Sequence, residues 1–385
     1  MDKSVKKESD FNICFQVAAT WFGCAIGPAL VAGTYATLYY VKYGAWGVIM
    51  PSVTALIVAV FMYLGVDMVR SFKSYDYDLY ATALYGKYKK PMMPFFELRT
   101  LFGMFLGNTI LLSMGGNMLK QLFGFNYFLG VAITVAIIIL LSMWGARVLR
   151  LANTFMSTLL LIAVLILAII AIPNGQNSLG HMITKWVVPE DPSLGFTAAF
   201  WAAMVYGFNV AVGHISTVGV MDVITKRKQV VLTTVLSFIM YALFMTLTAL
   251  ITLPYYPEVV KESLPNLWII ENFFQQYRWW LFPMYNIIIF LGLFTTGPTL
   301  TFAANRRFGK LIPDKVTKNQ RVKFFTIGLI FNLICLAISG FGLMALIGKG
   351  IKILGYLSFP FIILPLALFS PKRVKENDAK NEVQP

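Results

Sequence analysis

Charged residues are scarce in this sequence, and acidic residues are the scarcer kind. Only 13% of the 385 residues are charged, with 17 Asp and Glu against 32 Lys and Arg, while 58% are hydrophobic. This balance excludes an ordinary soluble domain and predicts a polytopic membrane protein. The net charge of +15 does not indicate nucleic-acid binding, because the basic residues lie in short segments between apolar runs, where orientation signals belong.

Residues that commonly carry catalysis are also few. The chain has two His and three Cys, and Cys14, Cys24 and Cys335 all lie in apolar runs, which argues against a disulfide framework. There is no metal-ligand spacing of His and Cys, no nucleotide-binding loop and no Gly-x-Ser-x-Gly motif. The sequence therefore predicts a protein that is not an enzyme and holds no cofactor.

Long apolar runs take up most of the chain. Their lengths predict ten transmembrane helices, at about residues 11–41, 45–69, 94–120, 126–145, 150–172, 195–222, 229–253, 281–304, 323–341 and 344–370. A polar tail of residues 1–10 precedes them, and a charged tail of residues 371–385, which we expect to be disordered, follows. Residues 11–370 form a single predicted transmembrane domain.

The distribution of Lys and Arg predicts the orientation. With the N-terminus in the cytoplasm, 24 basic residues fall on the cytoplasmic side and 7 on the outer side, with Arg99 inside a span. This asymmetry predicts a plasma-membrane protein with both termini in the cytoplasm. The sequence leaves the oligomeric state open.

The first apolar run is longer than one crossing requires. It covers 31 residues, whereas a spanning helix needs about 20. Gly23, Gly27 and Pro28 lie near its middle, and Pro28 cannot donate a helical hydrogen bond. A helix broken here exposes N–H and C=O groups, which must face protein or a wet cavity. Transporters hold substrate and ion in such a cavity, although a simple kink is the alternative.

The sixth run repeats this pattern. It is again longer than a crossing needs, with Gly207 and Asn209 near its middle. The first and sixth spans open the two halves of a ten-span chain, residues 11–172 and 195–370. Because five is odd, the second half enters the membrane from the opposite side, which predicts an inverted repeat of five plus five helices with discontinuous first and sixth helices.

Several local motifs carry a family resemblance. They are the Gly-rich break of span one, Tyr206-Gly-Phe-Asn209, Thr295-Thr-Gly297, Met114-Gly-Gly-Asn117 with Gly124, and Gly355-Tyr356. In this order the motifs resemble the amino acid–polyamine–organocation superfamily, and within it the bacterial YkvI-type membrane proteins. The resemblance implies an all-α LeuT-like fold, the five-plus-five inverted repeat, over nearly the whole chain. It does not name a ligand.

The two breaks define the candidate substrate site. Free helix ends favour a carboxylate at an N-terminus and a cation at a C-terminus, so a zwitterion such as an amino acid fits both. Aromatic faces suit an apolar side chain or an ammonium group, and Asn108, in mid-span three, can hydrogen-bond a ligand or a neighbouring helix. The candidate substrate-binding residues are Phe22, Gly23, Cys24, Ala25, Gly27, Asn108, Tyr206, Phe208 and Asn209.

The resemblance also implies a sodium site between spans one and eight. Its candidates are the carbonyls of Gly23 and Ile26 and the hydroxyls of Thr295 and Thr296, since hard cations prefer oxygen ligands. Span five has no Lys or Arg beyond Arg150 at its edge that would replace sodium. Proton coupling would need an ionisable group at depth, and His214 is the candidate, with a neutral core histidine as the alternative.

These features predict a sodium-coupled secondary transporter of a small amine-containing solute such as an amino acid, working by alternating access. The alternatives are a proton-coupled transporter of an organic cation or a nucleobase-like solute, and a membrane sensor that binds without transporting.

Two further features are open to more than one interpretation. The charges near the inner membrane edge, Asp67, Arg70, Glu97, Arg99 and Asp222, form either an ion-pair network or solvated interface charges. The aromatic outer loop at residues 254–280 predicts a short helix, acting as an interfacial anchor or as a lid.

Overall fold

The first apolar run forms three helical pieces instead of one helix. In the computed structural model, α1 begins at the N-cap Ser9, whose hydroxyl accepts from the Asn12 N–H, and ends at Ala25. Ile26 and Gly27 are extended, and α2 then begins at Pro28. A second bend follows at Gly33, whose φ of 88° suits a glycine. The sequence prediction of an interrupted first helix is confirmed.

The structure describes residues 9–142, 146–175, 179–309, 312–313 and 319–383, without the side chains of 146–158, 295, 306, 382 and 383. Its α-helices in chain order are α1 Asp10–Ala25, α2 Pro28–Val31, α3 Thr34–Tyr39, α4 Met50–Phe72, α5 Tyr77–Tyr85, α6 Lys89–Phe123, α7 Tyr127–Ser142, α8 Ala146–Ala171, α9 Leu179–Thr184, α10 Phe196–Ala211, α11 Arg227–Thr252, α12 Pro265–Phe273, α13 Arg278–Phe308, α14 Gln320–Ser339, α15 Leu343–Ala345, α16 Ile351–Ser358 and α17 Leu364–Val383.

Long apolar helices dominate the described part of the chain. Seven helical stretches there are long and apolar enough to cross a membrane, and two shorter ones, Tyr127–Ser142 and Leu159–Ala171, are also apolar. The broken first span falls outside this set because each of its pieces is short. The prediction of an all-α membrane protein is confirmed.

The prediction of a break at Gly207 and Asn209 in the sixth span is wrong. The helix α10 runs through both residues to Ala211 and continues as a 3-10 helix over Val212–Val220. Gly207 has a different role: a Cβ placed there would lie 3.1 Å from the side chain of Ile57. Its small size therefore allows α10 to approach α4 closely.

The C-terminal segment is also ordered, contrary to the sequence expectation. Helix α17 continues to Val383, and its polar half folds back against the end of α4 and against α5. Asp378 bonds Arg70 at 2.6 Å and the Ser71 hydroxyl at 2.7 Å. Arg373 donates to the carbonyls of Ala83 and Tyr85, where α5 ends. These contacts stabilise the tail as a helix.

Charged residues cluster at one end of the bundle, which also holds the start of α1. We call it the α1 end. Here Asp67 pairs with Arg70 at 2.7 Å and with Arg227 at 3.3 Å, and Asp378 joins them through Arg70. Glu97 pairs separately with Arg307. Among the described residues, neither Arg99 nor Asp222 is in an ion pair, so the predicted network forms only in part.

Candidate functional site

The break between α1 and α2 leaves main-chain groups without their helical partners. Before the break, the Ile26 N–H donates to the Phe22 carbonyl at 2.9 Å; after it, the Leu30 N–H donates to the Gly27 carbonyl at 3.0 Å. Pro28 has no N–H, so the carbonyl of Cys24 lacks its usual donor. The break therefore offers a bare carbonyl to whatever lies beside it.

A cavity of about 240 Å³ lies beside this break. The α1–α2 pieces, α6, α10 and α13 surround it, so distant parts of the chain meet here. Its lining residues are Cys24, Ala25, Gly27, Pro28, Ala29, Leu30, Tyr35, Gly107, Ile110, Leu111, Tyr206, Asn209, Val210, Gly213, Thr296 and Leu300. None of them is charged. Such a lining suits a small solute whose polar groups bind a few side chains and the open backbone.

Tyrosines close the cavity at the end away from α1. The ring of Tyr206 stacks on Tyr39 with centroids 4.5 Å apart, and Tyr35 lies 5.6 Å from Tyr206. The Tyr39 hydroxyl donates to the Ile347 carbonyl, which ties this stack to the segment before α16. Tyr39 and Tyr206 are buried, so the stack separates the cavity from that end of the molecule.

Toward the α1 end, the cavity is accessible. Gln16, Thr20 and Cys24 recur at four-residue spacing on one face of α1, and Gln16 and Cys24 are exposed. Ser216, on the 3-10 segment after α10, is also exposed. A polar exposed stripe indicates contact with water instead of lipid. The cavity is therefore bounded by stacked tyrosines at one end and by the exposed polar side chains of α1 toward the other.

Five predicted substrate-site residues line the cavity: Cys24, Ala25, Gly27, Tyr206 and Asn209. Gly23 lies in the last turn of α1 and is outside the lining.

Three other candidates lie elsewhere. Phe22 is buried edge-on against Phe244 of α11. Phe208 packs on Phe359, with ring centroids 5.0 Å apart. The Asn108 amide donates to Asn332 of α14 at 3.0 Å. The structure places all three in helix packing and outside the cavity lining, so their role as ligand contacts stays a prediction.

The candidate sodium ligands are only partly brought together. Thr296 lines the cavity, and its hydroxyl bonds no described residue. Ile26 lies in the break itself, and its side chain is buried. The side chain of Thr295 lies outside the described residues. The structure thus places one free hydroxyl and the interrupted backbone on the same cavity.

His214 directly follows Gly213 of the cavity lining and is fully buried. Its Nδ1 faces the Ala211 carbonyl at 2.6 Å, and its Nε2 lies 2.7 Å from the Tyr80 hydroxyl. Since a carbonyl can only accept, Nδ1 carries the proton and Nε2 accepts from Tyr80. Both ring nitrogens are therefore occupied, as in a neutral core histidine.

Sequence reasoning missed Tyr35 and the α6 residues of the lining. Gly107, Ile110 and Leu111 face the cavity with the spacing of one helix face. That periodicity was visible in the sequence, but it does not tell which face of an apolar helix meets a cavity. Tyr35 reaches the site because Gly33 bends the chain after α2.

Solved structures of transporters share this architecture. The manganese transporter of Eremococcus coleocola is 14% identical, with a TM-score of 0.64 over 95% of this chain and 80% of that one. MhsT in complex with L-phenylalanine is 13% identical, with a TM-score of 0.64 over 95% and 98%. Mhp1 in its inward-facing conformation is 17% identical, with a TM-score of 0.60 over 90% and 73%.

The chain has the LeuT fold. This confirms the LeuT-like fold class that the sequence motifs implied, while the count of five plus five helices stays a prediction. No family model and no curated protein matches the chain, so membership of the YkvI-type family stays a prediction. At these identities the likeness establishes the LeuT fold alone, and the ligand must be argued from this chain's own cavity.

Proposed function

We propose that the protein is a secondary transporter that carries a small amine-containing solute, such as an amino acid, by alternating access. The observation that carries this proposal is the cavity at the break of the first span, which is closed by tyrosines at one end and accessible at the other. A site reached from one side at a time is what alternating access requires.

The proposed membrane topology has ten spans in a five-plus-five inverted repeat, in a plasma membrane. In this topology α1 to α3 form span one, and both termini lie in the cytoplasm. The α1 end is then the cytoplasmic side, and the conformation described here is inward-facing. The cluster of Arg70, Arg227 and Arg373 at that end supports the assignment, because basic residues mark cytoplasmic segments.

The proposed coupling ion is sodium, bound between the break and α13. The open hydroxyl of Thr296 and the Cys24 carbonyl without its helical donor supply oxygen ligands of the kind that sodium binds. Paired ring nitrogens make His214 a poor proton relay, which favours sodium over the proton-coupled alternative. The described residues also hold no group of three or more His, Cys, Asp or Glu that could bind a metal ion. That argues against a transition-metal solute.

Uptake into proteoliposomes tests transport directly. Purified protein would be reconstituted and supplied with labelled amino acids, with an inward sodium gradient, with a proton gradient, or with neither. We expect accumulation only with the sodium gradient. Binding without accumulation under any gradient would favour a membrane sensor, and accumulation with protons alone would favour the proton-coupled alternative.

A further inference from the structure

Arg99 is a charged side chain that contacts the polar part of the cavity lining. It extends from α6, where its Nη2 donates to the Asn209 side-chain oxygen at 2.9 Å and to the Asn209 carbonyl at 3.2 Å. Its Nε donates to the Ser358 hydroxyl at 2.9 Å. The guanidinium thus joins three helices, α6, α10 and α16, directly beside a residue that lines the cavity.

The partners of this guanidinium are all neutral. No carboxylate lies within ion-pair distance of Arg99 among the described residues, whereas Arg307 and Arg70 have acidic partners. A cation partly removed from water is stabilised by a counter-charge or by hydrogen bonds. Arg99 is partly buried and makes three hydrogen bonds from five N–H groups, so it retains N–H donors that an anion can accept from.

The unused part of the guanidinium lies along the face of α6 that carries a cavity-lining residue one turn further on. Nη1 bonds no described residue. A Cβ placed at Gly103, one turn nearer the cavity, would lie 3.5 Å from Nη1. The next turn of α6 brings Gly107, which lines the cavity. Gly103 and Gly107 add no side chain of their own along this face of α6, where the neighbouring side chains are Leu354 and Leu300.

We propose that Arg99 is the anion-binding end of the cavity, so that the solute carries a carboxylate that docks beside Asn209. This inference rests on the proposed function, which supplies a transported solute, and it adds the chemical class of that solute. The carboxylate would accept a charge-assisted hydrogen bond from Nη1. The neutral partners, Ser358 and Asn209, bond only Nε and Nη2. Amines that lack a carboxylate would leave this cation without a counter-charge.

Matched ligands test the proposal on the purified full-length protein. The probes are L-alanine, L-leucine and L-phenylalanine, each with its decarboxylated amine and its deaminated acid, and binding is read by calorimetry and by the shift in thermal unfolding. We expect carboxylate-bearing compounds to bind at least tenfold more tightly than the corresponding amines. Tighter binding of the amines, or no carboxylate-dependent stabilisation by any compound, would overturn the proposal. Stabilisation by chloride equal to that by the carboxylates would identify a simple halide site and would also overturn it.

Variants then assign the preference to Arg99. Arg99→Gln should lower the affinity for carboxylates at least tenfold and leave amines unchanged, while Arg99→Lys should lose less. Lys89→Gln is the matched control, because it removes a positive charge from the same helix at an exposed pair with Asp78. Unchanged carboxylate affinity in Arg99→Gln would overturn the assignment. If Arg99→Gln does not fold, Ser358→Ala keeps the charge but removes one anchor of the guanidinium, and it should weaken carboxylate binding alone.

The outcome separates this inference from the transport proposal. If carboxylates bind through Arg99 but never accumulate in proteoliposomes, the transport proposal fails and the ligand class stands. If amines accumulate equally well in the wild type and in Arg99→Gln, transport stands and the inference fails.

Discussion

The side-chain amide of Asn266 donates to the carbonyl of Val31 at 2.7 Å, and the hydroxyl of Tyr285 donates to the same oxygen at 2.7 Å. The Asn266 N–H also bonds the Ala32 carbonyl at 2.9 Å. Helix α12 is therefore fastened to the first span just beyond its break, where α2 ends. The two roles open for this loop, a lid and a membrane-surface anchor, both stay predictions.

Replacing Asn266 tests this fastening. Asn266→Ala removes buried donors to Val31 and Tyr285, and an unmade buried hydrogen bond costs about 1–3 kcal/mol. We expect a lower midpoint of thermal unfolding in detergent. Asn272→Ala is the control on the same helix, because its exposed amide bonds only the local Trp268 carbonyl. Equal midpoints for the two variants would argue that α12 is not held by these bonds.

Removing the Thr296 hydroxyl tests the sodium site. Thr296→Ala takes away one oxygen at the cavity, and the double variant with Thr295→Ala takes away both candidate hydroxyls. We expect the sodium concentration for half-maximal uptake to rise roughly tenfold, equivalent to about 1.4 kcal/mol. Thr248→Ala, whose hydroxyl only bonds back to Phe244 within α11, should behave as wild type. Unchanged sodium dependence in the double variant would refute the ion site.

Replacing His214 separates structural support from proton transfer. His214→Gln loses the hydrogen bond with Tyr80 in a fully buried position, so we expect lower thermal stability with sodium-driven uptake retained. Tyr80→Phe removes the same bond while keeping the imidazole, and it should give the same pattern. Loss of uptake in His214→Gln but not in Tyr80→Phe would point instead to a proton relay.

The contacts of the C-terminal helix α17 predict that its docking depends on pH. Burial alone would raise the pKa of Asp378, but hydrogen bonds from Arg70 and Ser71 and the charge of Arg70 lower it below its usual value. A lowered pKa in the folded state stabilises docking above the reference value of about 3.9 and loses that effect as the pH falls through the lowered pKa.

Asp378→Asn should therefore unfold at a lower temperature than the wild type at pH 7. The difference between the two midpoints should shrink as the pH is lowered toward and below about 4. Glu376→Gln, which alters only a long exposed contact with Lys372, should show little difference at any pH. A wild-type advantage over Asp378→Asn that is constant with pH would show that the charge of Asp378 does not stabilise docking.

The break in the first span was predictable because two glycines and Pro28 fall together near the middle of an overlong run. Pro28 cannot donate to the Cys24 carbonyl, and only the extended residues, Ile26 and Gly27, had to be observed. Proline alone would not decide the break, since α13 continues through Pro298. At Gly207 the sequence does not decide whether the helix breaks. A glycine in an apolar helix fits a break or a close approach equally well, and the contact with Ile57 that decides between them is not local in sequence.

The roles of several site residues could not be predicted for the same reason: contacts distant in sequence decide them. Phe22 and Phe208 are aromatic residues near the break, as a ligand pocket requires, but the positions of Phe244 and Phe359 turn both into packing residues. Arg99 was foreseen as part of an ion-pair network, and its partners prove to be Asn209 and Ser358. Which neighbour a side chain meets depends on helix arrangement, and hydropathy does not encode that arrangement position by position.

Accessibility of Cys24 tests the central claim most directly, namely that the break opens onto a wet cavity that binds a small solute. Cys24 lines the cavity and is exposed, whereas Cys14 and Cys335 are buried. A membrane-impermeant thiol reagent applied at the α1 end should label the wild type at Cys24 and should not label Cys24→Ser, and a bound carboxylate-bearing solute should slow the labelling. No labelling of Cys24 from that side, or labelling that no solute slows, would contradict the account.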